Sequence, residues 1–181
     1  MAGQKLTDKS AIDHLGTGDL FMTVDVSDTT GSTAGTSKKM DAKYSLTTDK
    51  ISISNAEFLS MRTGGGASDF KTLVAAPGSG FMILPVNITM LVTYASATET
   101  AAVNLYVGYD PTTATYYTLQ ARNFMRNLTT NSTFIFPFLG ATGGSHSASI
   151  DNLPLVMYSS ANFTGGFSAD VYVTYKIQKI F

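Results

Sequence analysis

The sequence predicts an all-β fold, an antiparallel β-sandwich preceded by an arm of mixed short helix and strand. Three observations predict it. About eight short segments rich in β-branched and aromatic residues follow one another from residue 51 onward, separated by Gly, Pro, Asn and Asp. No apolar period of about 3.6 residues runs between them. Charged residues make up only 14% of the 181, so much of the surface must be covered by the 25 Thr and by Ser, Asn and Gly.

The arm comes first. Thr7 or Ser10 can cap a short helix through Leu15, which Gly16 stops. Asp19–Val26 reads as a strand and Ser27–Ser37 as a loop of Ser, Thr, Gly and Asp. Lys38–Leu46 is predicted as a two-turn helix with Met40, Tyr44 and Leu46 on one side. Residues 1–50 hold too few apolar side chains to fold alone, so they are expected to form an attachment arm that docks onto something larger. The charge distribution supports a division: 17 of the 25 charged residues lie in residues 1–71 and 8 in the remaining 110.

Residues 51–181 form the predicted sandwich. Its strands are expected at Ile51–Met61, Phe70–Ala75, Phe81–Ala95, Ala101–Tyr109, Tyr116–Ala121, Ser132–Leu139, Leu153–Ser159 and Ser168–Ile180. Several alternate cleanly: Val103, Leu105 and Val107 share one face, as do Val171, Val173, Tyr175 and Ile177. Gly64-Gly-Gly, Pro77-Gly-Ser-Gly, Asp110-Pro, Gly143-Gly and Gly165-Gly carry turn chemistry. The strand count fits a jelly roll best, with an immunoglobulin-like sandwich second. No repeat of fixed period is present, which argues against a repeat-built fibrous shaft.

The composition also excludes chemistry. There is no Cys, hence no disulfide framework, zinc cluster or thiol nucleophile. The two histidines, His14 and His146, leave little for acid–base or metal sites, and no nucleophile elbow surrounds Ser145 or Ser147. Glu99, Asp110, Asp151 and Asp170 are the only carboxylates after residue 71, and each reads as structural rather than as half of a glycosidase pair. Glycine-rich loops match no phosphate-binding pattern. The expectation is a protein with no enzymatic activity, cofactor or metal. A net charge of −1 argues against nucleic acid, and no segment is long and apolar enough for a membrane span. The N-terminus lacks the apolar region of a signal peptide, so synthesis in a cytoplasm is expected.

The aromatic residues point to partners. Thr133-Phe-Ile-Phe-Pro-Phe and Asp170–Ile177 place large residues on both faces, and a sheet apolar on both faces is covered on both. A homotrimer is therefore expected, with Phe134, Phe136, Phe138, Tyr172 and Tyr175 at its interface.

Five stretches carry a resemblance. Ala11-Ile-Asp-His-Leu, Gly18-Asp-Leu-Phe-Met-Thr-Val-Asp-Val-Ser-Asp-Thr and Gly35-Thr-Ser-Lys-Lys-Met resemble an N-terminal module of tailed-bacteriophage fibre and decoration proteins. Gly80-Phe-Met-Ile-Leu-Pro-Val-Asn-Ile-Thr-Met and Val171-Tyr-Val-Thr-Tyr-Lys-Ile resemble the trimeric jelly-roll domains of phage virion proteins. The resemblance implies a virion structural protein, made in a bacterial host, that decorates and stabilises the capsid. Its partner would be the major capsid protein or another virion protein. Leu20, Phe21, Val24, Val26, Lys38, Lys39 and Met40 would dock the arm. The second reading is a tail-fibre or receptor-binding protein whose loops at Asp110–Thr115, Gly140–Ser149 and Asn162–Gly166 contact host-surface glycans.

Overall fold

The computed structural model describes residues 20–31, 33, 35–41, 45–62, 69–109, 117–137 and 150–180. The chain divides into two compact units, Met1–Thr47 and Thr48–Phe181.

In the first unit, β1 (Leu20–Asp25) pairs antiparallel with β2 (Thr36–Asp41), from Leu20 opposite Asp41 to Asp25 opposite Thr36. The helix expected over Lys38–Leu46 is thus a strand over its first four residues. Two helical turns without a packing partner are marginal in water, whereas a hairpin pairs the whole segment. The connection is shaped by local side-chain bonds. Asp25 accepts from the Ser27 amide at 3.0 Å and Asp28 from the Thr30 amide at 3.1 Å. Lys38 closes the hairpin on Asp28 at 2.5 Å. That lysine, with the Thr30 bonds, draws the half-buried Asp28 carboxyl down to about 2.

The second unit contains β3 (Thr47–Ile53), α1 (Asn55–Ser60), β4 (Lys71–Val74), β5 (Phe81–Tyr94), β6 (Leu105–Gly108), β7 (Tyr117–Ala121), β8 (Ser132–Pro137), β9 (Leu155–Ser159) and β10 (Phe167–Lys179). They form two four-stranded sheets, ordered β3-β10-β5-β8 and β4-β9-β6-β7. The first strand thus neighbours the last, the second the next-to-last, and so inward to the β6–β7 hairpin at the tip. One long antiparallel ribbon has been rolled up so that β10 also meets β5 and β9 also meets β6. This order is a jelly roll, an all-β antiparallel sandwich.

The expected strand Ile51–Met61 is two elements. Ser54 accepts from the Glu57 amide while Glu57 accepts from the Ser54 amide, a reciprocal capping box that starts α1. Phe58 then drops into the core at 0% exposure. On β10, positions from Phe167 to Tyr175 alternate buried and half-buried, and on β5 Ile83, Ile88, Met90 and Val92 face the same interior. A bulge between Thr174 and Tyr175 accommodates Pro85, which has no N–H to give a ladder, and turns Val86 outward. Leu73, Leu105, Val107, Leu155 and Met157 of the other sheet complete the core. Tyr109 donates to the Ile83 carbonyl at 2.6 Å, and burial pushes its phenol above the ordinary range.

Candidate functional site

Two regions of the second unit stand out chemically. The first is the loop end beside α1. Phe58, Phe124, Phe163 and Phe167 form an aromatic cluster with ring centroids 4.8–6.5 Å apart. Beside it lies Glu99, a carboxylate only 1% exposed. One of its oxygens accepts from the Ala101 amide at 2.8 Å and the Thr164 hydroxyl at 2.9 Å. The other accepts from the Thr164 and Gly165 amides at 2.7 and 3.0 Å. Burial works to raise its pKa, but the bonds from Thr164, Ala101 and Gly165 prevail and hold it below the ordinary carboxylate value. Glu99, with which no cation pairs among the described residues, thus ties the β5–β6 loop to the β9–β10 loop. Its own carbonyl accepts from the Asn127 amide, adding the β7–β8 loop.

Two adjacent glycines permit this closeness. A Cβ on Gly166 would lie 2.3 Å from the Ser96 hydroxyl and 3.0 Å from the Ala97 amide, and one on Gly165 would lie 2.8 Å from the Phe167 ring. Asn55 donates to the carbonyls of Gly165 and Phe167, and Asn162 to that of Leu59, so α1 is bound to the same loop.

The second region is the outward face of the β3-β10-β5-β8 sheet. Asp170 accepts from Ser52 at 2.7 Å and pairs with Lys50 at 2.9 Å, and both contacts hold its carboxyl below the ordinary value. Tyr172, half-buried, lies under Lys50, its ring centroid 5.9 Å from the ammonium. At one margin, Ser52, Ser54, Glu57, Thr93, Ser168 and Asp170 line a shallow cleft of about 340 Å³. Lys71, 2.5 Å away, together with the Ser54 amide, draws Glu57 down to about 2. Toward β8 the face has no ionisable group and instead presents Ile135, 67% exposed, and Leu91, 41% exposed.

The expected interface residues need correction. Phe134 and Phe136 face inward, opposite Met90 and Ile88, and pack against the core. Tyr175 is 2% exposed and donates to Asp49 at 2.8 Å. These side chains are spent on their own sandwich, because strand alternation sends every second residue inside. Of the five, only Tyr172 is found outward; Phe138 lies outside the described residues. On the arm, Val26 is 76% exposed, and Lys38 is exposed and paired with Asp28. Leu20, Phe21 and Val24 fall on β1, and Lys39 and Met40 on β2, with Phe21 opposite Met40 and Met22 opposite Lys39.

His14, His146 and the loops at 110–115 and 140–149 lie outside the described residues. Asn162–Gly166 is described and is the loop clasped by Glu99. Among the described residues no cluster of His, Asp or Glu could hold a metal ion, and no helix is long and apolar enough to cross a membrane.

Glu99 and Ile135 escaped sequence reasoning. The first looks like any loop carboxylate in Ser96-Ala-Thr-Glu-Thr, and no local pattern foretells its buried donors. The second was legible in principle, since Phe134 and Phe136 facing inward force Ile135 outward.

No family model and no curated protein matches the chain. Among solved structures it is similar to a chain of the cyanophage Pam1 capsid asymmetric unit, at 13% identity and a TM-score of 0.34, covering 97% of this chain and 98% of that one. It is also similar to the PRD1 vertex protein P5, at 16% identity and 0.34, covering 97% and 90%. A chain of the Kashmir bee virus virion at neutral pH gives 10% identity and 0.32, covering 98% and 96%. The strand order above defines the fold.

Proposed function

We propose that the chain is a non-enzymatic virion structural protein that decorates and stabilises a phage capsid. One observation carries this reading: the jelly-roll order encloses an interior filled by side chains. Shell and attachment proteins of viruses are among the users of this roll, and they need no ligand cavity inside it. The arm resemblance supports the same role. Docking is assigned to the β1–β2 hairpin, through Leu20, Phe21, Val24, Val26, Lys38, Lys39 and Met40. A decoration protein would stabilise the shell by binding only its assembled form. Self-association belongs to this reading.

The experiment is addition of the purified full chain to phage particles lacking it, with bound protein and particle heat resistance measured. Binding that raises the particle melting temperature, and that is weakened by Lys38→Glu with Lys39→Glu, is expected. Unchanged binding by that double variant removes the arm from the docking role.

The hydroxyl-lined cleft at Ser52, Ser54, Thr93 and Ser168 favours a second reading, a receptor-binding protein contacting host-surface glycans. Serine substitutions there that alter host adsorption, with particle stability unchanged, would favour it.

A further inference from the structure

We infer that a second copy of this chain docks along β8, by antiparallel pairing of β8 with its own counterpart across a two-fold axis. This names a surface for the self-association proposed above and rests on that part of the reading.

The edges of the two sheets are unequal. Edge strand β3 carries Asp49 and Lys50, bound to Tyr175 and Asp170. Edge strand β4 begins at Lys71, which pairs with Glu57 of α1. Edge strands β7 (Tyr117–Ala121) and β8 (Ser132–Pro137) carry no charge at all, and among the described residues no strand pairs with the outer side of either; β8 is singled out by the exposed apolar side chains of Ile135 and, beside it, Leu91. Soluble proteins guard open edges with charge, coverage or brevity, because a row of unpaired N–H and C=O groups recruits another strand. Pro137 ends β8 without interrupting the residues before it.

The outward side chains complete the surface. Ile135 is opposite Thr89, and Leu91, opposite Thr133, is its diagonal neighbour. Thr89, Leu91, Thr93, Thr133 and Ile135 include no ionisable group. Asp170, across from Leu91, is already neutralised by Lys50. A charged partner gains nothing here and loses hydration, whereas a chargeless extended strand matches. The chain itself supplies such a strand, and two copies at net charge −1 scarcely repel. An isologous contact requires a patch complementary to itself, which an antiparallel strand meets directly. With the axis near Ile135, the two Ile135 side chains lie side by side and the sheet runs from four strands to eight.

The absence of cysteine makes the test clean. Ile135→Cys introduces a single thiol, as does Val26→Cys on the hairpin. Under mild oxidation Ile135→Cys is expected to cross-link into a dimer and Val26→Cys to remain largely monomeric. By light scattering the native chain is expected at twice the monomer mass, and Ile135→Lys at half of that, with an unchanged circular dichroism spectrum. A native dimer or trimer insensitive to Ile135→Lys, together with failure of Ile135→Cys to cross-link, overturns the β8 surface but leaves self-association standing. A native chain that is monomeric at every soluble concentration overturns both, while docking on particles is judged separately by the binding experiment above.

Discussion

At the loop end, the Glu99 carboxylate meets four donors and the Phe58 cluster is sealed from water, whereas β8 is, among the described residues, the last strand of its sheet, and its Ile135 side chain faces outward. Both regions are uncommonly poor in paired charge, and they use that poverty differently. Where the loops close on one another, buried polar groups are matched within the chain, so substitutions there are felt by the fold. Where a strand is left at an edge, substitutions cost the monomer little and are felt by whatever docks. Stability and contact are thus assigned to different parts of one small sandwich.

The contrast can be broken most forcefully at Phe58→Ala, which should cost about 4 kcal/mol by opening a cavity among Phe163 and Phe167. Denaturant titration measures it, and a loss under 1 kcal/mol would mean that the cluster is not the anchor of α1. Glu99→Gln should cost about 3 kcal/mol, because an amide offers one acceptor where two oxygens served four donors. The same site gives a pH dependence. Glu99 has a folded pKa below its unfolded value, so its contribution is complete above roughly pH 4.3 and is lost as pH falls through the lower folded value. Thermal melts of native protein and Glu99→Gln should therefore converge in acid; a gap that stays constant would show that the charge is immaterial.

Gly166→Ala sharpens the comparison at smaller scale. The new methyl meets the Ala97 backbone, which cannot swing aside as the Ser96 hydroxyl can, so about 1–2 kcal/mol should be lost in a urea titration. Smallest is Ile135→Thr, expected within about 0.5 kcal/mol in the monomer because the site is exposed. A loss as large as that of Gly166→Ala would mean that β8 is already covered within its own chain.

Much of the fold was legible because alternation is a strictly local property. Val171, Val173 and Tyr175 share one face in the sequence and in the sandwich. The Ser54–Glu57 spacing is a helix signal that the β-rich residues around it mask, and Asp25 and Asp28 are turn formers whichever way the next segment folds. The candidate site was far less legible. Phe134, Phe136 and Tyr175 looked available to a neighbour only because a single strand does not reveal which of its faces meets the second sheet.

By itself the sequence determined the strand periods, the turn positions, the poverty of charge after residue 71 and the absence of thiol chemistry, since each depends on residues close together or on totals. Only the tertiary structure decided the roll itself, which pairs β3 with β10 and β4 with β9 across most of the chain. It also decided that Glu99 is the buried clasp and that Ile135 is exposed on a strand that, among the described residues, ends its sheet. Those outcomes depend on contacts between residues tens of positions apart, which no local pattern encodes.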